Sequence, residues 1–188
     1  MTESRLERNT GRSAETKKIQ TFLRDKDVLV SSSEGVEELS SRGYGVAEDG
    51  NLALTFSEAL FLLSKGIIEI EDEKGREVSF QKLLKQYQSV DENAWVKYLI
   101  YRDLRSRGYV TREGFGLGID FRVYERGEYG TATATYLVFG IQEGQPVSVE
   151  ELVRAMKHVQ GLKKQLVLAV LNRRGEVVYY SLSQLTMK

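Results

Sequence analysis

The sequence predicts an α+β chain in two parts: a small α+β N-terminal unit over 17–90 and an α/β unit over 91–188. Three observations carry this. Helix-start residues followed by apolar stripes alternate with short apolar runs throughout the first half. From Tyr109 onward the pattern changes to strand-like segments separated by glycine-rich turns and one capped helix. And 188 residues without a cysteine must be held by an apolar core rather than by disulfides.

Taken in order, residues 1–16 are polar and aperiodic and read as a mobile tail. Residues 27–30 form a first short strand. Glu34 to Ser41 is a short helix stopping near Gly43, and the glycines at 43, 45 and 50 mark turns around a strand at 52–54. Ser57 is the expected N-cap of a helix with an apolar stripe of Ala59, Leu60, Leu62 and Leu63, stopped by Gly66. A strand at 67–70 and a charged turn through Gly75 follow. Ser79 caps a helix to about Gln88. Asp91 caps another to Arg107, with Trp95, Tyr98, Leu99 and Leu104 on its apolar face and Gly108 at its stop.

In the second half, strands are expected at 109–112, 119–124 and 135–141. Ser148 and Glu151 have capping-box spacing at the start of a helix. Strands at 166–171 and 176–181 flank a hairpin turn at 172–175. The last strand has no later partner, so it is an open edge on which another chain can pair. The apolar runs are too short to span a bilayer and the N-terminus lacks a signal-peptide core, so the expected location is cytoplasmic, with no membrane association.

The 27 basic and 27 acidic residues balance, so net charge favours no partner class. Distribution is more informative. Between Arg154 and Arg174 stand six basic residues and no Asp or Glu, and a second run comprises Arg102, Arg105, Arg107 and Arg112. Such faces can follow a phosphate backbone, although a solvated helix face is the commoner source of them.

Metal chemistry finds no support in the pattern. Asp120 could hold an ion, but the next strand offers neither carboxylate nor lysine, and there is no His-rich or calcium-loop spacing. The glycines of 114–118 lack the Lys-Ser/Thr of a phosphate loop. Metal-free cleavage of RNA needs a base for the 2′-hydroxyl, an acid for the leaving 5′-oxygen and a cation for the phosphate. Tyr124, at the mouth of a strand beside Glu125 and Arg126, and Lys164, before another strand, can supply two of these. Free tyrosine, with a pKa near ~10, is a poor base unless cations stabilise the phenolate.

Several segments together resemble the archaeal tRNA-splicing endonuclease family. They are 101–109 (Tyr-Arg-Asp-Leu-Arg-Ser-Arg-Gly-Tyr), 120–127 (Asp-Phe-Arg-Val-Tyr-Glu-Arg-Gly), Tyr136-Leu137-Val138, 162–170 and 178–180. In the first half they are joined by 42–45 and 54–60. The resemblance covers roughly residues 20 to 182 and implies a restriction-endonuclease-like C-terminal domain. It also implies metal- and cofactor-independent excision of pre-tRNA introns at bulge-helix-bulge sites, leaving 2′,3′-cyclic phosphate and 5′-hydroxyl ends.

The resemblance places the family's general-base tyrosine on Tyr124 and its lysine on Lys164. The family's histidine falls on Thr133, or on Ala134 if counted from Tyr124; neither is His, and the chain's one histidine, His158, lies on a different element. A threonine hydroxyl is too weak an acid for the role. The chain is then a structural subunit, an active subunit whose histidine was replaced, or one that cleaves slowly with water or another group as acid. By the same resemblance Arg126, Lys157 and Lys163 are candidate RNA contacts. Lys157 stands where the family clamps a bulged base with arginine, and lysine lacks the planar cation for stacking. Glu143 is the candidate assembly residue, in the loop that docks on a partner subunit. The expected partners are precursor tRNA and a second endonuclease subunit, in a dimer or tetramer.

Overall fold

The computed structural model describes residues 18–185; the expected tail at 1–16 lies outside the described residues. The N-terminal half contains β1 (Ile19–Leu23), β2 (Val28–Val30), α1 (Ser33–Ser41), β3 (Val46–Glu48), β4 (Asn51–Leu54), α2 (Phe56–Ser64), β5 (Ile68–Glu71) and α3 (Phe80–Val90). The C-terminal half contains α4 (Ala94–Ser106), β6 (Val110–Gly116), β7 (Ile119–Tyr124), β8 (Tyr136–Gln142), α5 (Val149–Gly161), β9 (Gln165–Leu171) and β10 (Val177–Leu182). The α+β class expected from the sequence is the class observed.

The first sheet runs β3-β4-β2-β1-β5, antiparallel except for β1 against β5. The second runs β10-β9-β8-β7-β6, antiparallel except for β8 against β9, which α5 connects by a crossover. The main core joins both halves: Leu54, Leu60, Ile70, Leu83, Leu99 and Ile100 belong to the same buried cluster as Phe121, Val138 and Leu171. A smaller core under α5 packs Ala155 and Val159 on Ile119, Leu137, Phe139 and Leu166.

Strands β1 and β3 are additions to the sequence reading. Strand β1 pairs in parallel with β5, whose residues lie about fifty positions later, so its local pattern carries little signal. The helix starts also differ. Thr55, not Ser57, caps α2: its hydroxyl accepts from Glu58 N while the Glu58 carboxylate accepts from Thr55 N, a complete capping box. Ser57 is buried inside the helix and donates its hydroxyl hydrogen to Tyr87 Oη at 3.4 Å. Asp91 does not cap α4. Its carboxylate accepts from Asn93 N at 2.8 Å and from Lys97 Nζ at 2.7 Å, and Asn93 holds the N-cap position. Ser148 is the N-cap of α5 but makes no side-chain capping bond. Trp95, expected on the apolar face of α4, is 42% exposed, and Val96, Ile100 and Tyr101 are buried in its place.

Candidate active site

Backbone register assembles the site. Val123 of β7 pairs with Tyr136 of β8, and Tyr136 pairs with Gln165 of β9. One step further along each strand, Tyr124, Thr135 and Lys164 fall in a row across three neighbouring strand ends. With β8 between them, the Tyr124 and Lys164 backbones are two strand spacings apart, roughly 10 Å.

Each position has a local cause. Tyr124 ends β7 half-buried, its ring packed against the small core and edge-on to Tyr129 with centroids 5.2 Å apart. The chain then turns through Gly127, and Glu128 holds the loop: its carbonyl accepts from Thr131 N and Ala132 N. This returns Thr133 to the sheet edge. Lys164 is placed by the end of α5. Lys163 N donates to Gln160 O and Lys164 N to Val159 O, the paired bonds of a Schellman motif, with Lys163 in the left-handed region at φ 55°.

The structure brings Thr133 and Lys164 together: Lys164 Nζ donates to Thr133 Oγ1. Ala134, the other candidate for the third position, is buried in the small core, whereas Thr133 is exposed. Thr133, Lys163, Lys164, Glu128 and Ser181 line one open cleft. Among the described residues no hydrogen bond joins Tyr124 to Thr133 or Lys164. His158 lies elsewhere, packed edge-on against Phe115 at 5.3 Å.

Arg126 is exposed beyond β7, its guanidinium lying over Gly108, where a side chain would collide with it; Gly108 also has φ +92°. Lys157 is exposed on α5, outside the cleft lining. Glu143 follows β8 and is fastened to the 172–175 turn: its carboxylate accepts from Arg173 N at 3.0 Å and its own N–H donates to Leu171 O at 2.8 Å.

The second basic run is not a free cationic face. Arg112 is 7% exposed and paired with Glu58 at 3.0 Å, donating also to Gly43 O and Gly45 O. Arg107 pairs with Asp103 at 2.6 Å, and Arg105 stacks over Tyr44 at 3.8 Å. Arg105 and Arg112 thereby fasten α4 and β6 to the N-terminal half, while Arg107 stays within the C-terminal half. Glu128 was missed by the sequence reading. It accepts from Thr135 Oγ1 at 3.1 Å and is, among the described residues, the one carboxylate in the cleft lining, but nothing in its loop sequence marks it.

Residues 94–179 match the family model of the tRNA intron endonuclease catalytic C-terminal domain, and 19–84 that of the tRNA intron endonuclease N-terminal domain. A tRNA-splicing endonuclease of Methanococcus maripaludis is 33% identical over 171 residues, 91% of this chain and 97% of that protein. One of Pyrococcus furiosus is 34% identical over 163 residues, 86% of this chain and 94% of that protein. One of Methanosarcina mazei is 33% identical over 164 residues, 86% of this chain but 45% of that longer protein. The chain belongs to the tRNA intron endonuclease family. Among the described residues, no helix is long and apolar enough to cross a membrane.

Proposed function

We propose that this chain is a subunit of an oligomeric, cytoplasmic tRNA-splicing endonuclease that excises pre-tRNA introns at bulge-helix-bulge sites without metal or cofactor. Residues 17–90 form its N-terminal domain and 91–188 its catalytic-type domain. The observation that carries the reading is the row of Tyr124 and Lys164 at strand ends on either side of β8, with Lys164 bonded to Thr133 at the third position.

Tyr124 takes the proton of the 2′-hydroxyl. The 2′-oxygen attacks phosphorus, the bond to the 5′-oxygen breaks, and that oxygen leaves with a proton. The products are a 2′,3′-cyclic phosphate and a 5′-hydroxyl, so no water is consumed. The Lys164 ammonium offsets the charge that builds on the phosphate. Lys163 and Arg126 are exposed where flanking phosphates would pass, Lys157 meets RNA further along α5, and Glu143 presents the assembly loop. The open edge of β10, with Val178 and Tyr180 41% and 53% exposed, suits pairing with a second subunit.

Thr133 favours a second reading, a non-catalytic subunit that positions RNA, because its hydroxyl is too weak an acid. Cleavage of a bulge-helix-bulge RNA by the complete oligomer separates the two. In the first reading Tyr124→Phe lowers the rate at least about 100-fold and Thr133→His raises it. An unchanged rate in Tyr124→Phe sinks the catalytic assignment and leaves the positioning role.

A further inference from the structure

We propose that Glu128 is the group that protonates the leaving 5′-oxygen in this chain. The inference rests on the catalytic reading of the Tyr124–Lys164 site and supplies its missing component. Among the described residues, the ionisable side chains lining the cleft are Glu128, Lys163 and Lys164. Thr133 Oγ1 accepts from Lys164 Nζ, so the residue at the third position is held as a partner of the cation. By residue type, a lysine ammonium is a far weaker acid than a carboxyl.

Glu128 is also placed for the task. It is half-buried, its carbonyl folds the loop that returns Thr133 to the edge, and its Oε2 accepts from Thr135 Oγ1 in the same row as Tyr124 and Lys164. One carboxylate oxygen is thus oriented by the protein, and the other has no hydrogen-bond partner among the described residues. The charged and titratable groups around it are Lys163 and Lys164 across the cleft, Glu125 and Arg126 on its own loop, and Tyr136 on β8; Gln160 of α5 and Ser181 of β10 are neutral. In the step, the carboxyl O–H bond breaks as the phosphorus–O5′ bond breaks. The proton ends on the 5′-oxygen, and the carboxylate is reprotonated from solvent.

The test uses the complete oligomer and two RNAs that differ at the scissile linkage, one with the natural 5′-oxygen and one with a bridging 5′-sulfur. Sulfur leaves as a thiolate and needs no acid. Glu128→Gln keeps an acceptor for Thr135 but has no acidic proton. It is expected to lower oxygen-substrate cleavage about 100-fold or more. Cleavage of the sulfur substrate is expected to stay within about 3-fold, because general-acid catalysis assists only the oxygen leaving group. Adding Thr133→His to Glu128→Gln restores oxygen cleavage and moves the alkaline fall in rate toward the ~6.5 of histidine.

Equal losses on both substrates, or no loss on either, overturn the assignment of Glu128 while leaving the site intact. A wild-type oligomer that cuts only the sulfur substrate also overturns it, since base and cation would then work without any acid. A wild-type oligomer that cuts neither overturns the catalytic reading itself, and Glu128 with it.

Discussion

Lys163 occupies a left-handed backbone position where glycine is the usual choice, and a side chain there costs on the order of 1 kcal/mol. It is exposed and lines the cleft beside Lys164. A strained, cationic residue at this point fits a position kept for its charge. Lys163→Gly is therefore expected to hold or raise stability, by up to about 1 kcal/mol, while weakening RNA binding and lowering the salt slope of log K by about 1. Urea unfolding and RNA titration at several salt concentrations check both halves; lost stability with unchanged binding would contradict the argument. At this scale the sequence was informative about the strand-end positions of Tyr124 and Lys164, because a polar residue at a strand end is a local feature. It was silent on Glu128, whose place depends on how the 125–135 loop folds back on β8.

Between elements, the buried pair Arg112–Glu58 fastens β6 to the start of α2. Glu58 accepts from Thr55 N and Gly45 N as well as from Arg112, and burial pushes its carboxyl up against the pull of the guanidinium. Removing one partner leaves the other charge buried and unmatched. Arg112→Met should cost about 3–5 kcal/mol, and the double change with Glu58→Gln appreciably less than the sum. A double-mutant cycle by denaturant unfolding measures the coupling; additive losses would mean that the two groups do not share one network. The sequence could not show this, since the partners stand 54 positions apart. Capping is a subtler case. Thr55 and Ser148 each have a Glu three positions on, and both mark a real helix start, yet only Thr55 makes the side-chain bond. Spacing locates the helix; neighbouring packing decides which atoms close the cap. Asp91 illustrates the same limit, because Lys97 and Asn93 N claim its oxygens.

Across the whole molecule, the core that joins both sheets also buries tyrosine hydroxyls, and this sets an alkaline limit on stability. Burial pushes the Tyr87 hydroxyl up to about 12 from 10.0, with the hydrogen bond to Ser57 opposing. Burial likewise raises Tyr101 and Tyr179, the latter donating to Asp103 at 2.7 Å. A folded pKa above the unfolded one means that the neutral form is favoured by folding. The associated stability is complete below pH 10 and is lost as pH rises through about 12. For Tyr87 alone the loss is about 2–3 kcal/mol. Tyr87→Phe keeps the ring stacked on Phe56 at 5.2 Å and gives up one long hydrogen bond to Ser57, so at pH 8 its stability should lie within about 1 kcal/mol of wild type. Between pH 10 and 12 its stability should fall less steeply, because one fewer buried group must ionise. Urea unfolding at pH 8, 10, 11 and 12 decides this. Parallel curves for the two proteins would show that Tyr87 ionises as easily in the folded chain as in the unfolded one, and that the alkaline limit comes from the remaining buried groups.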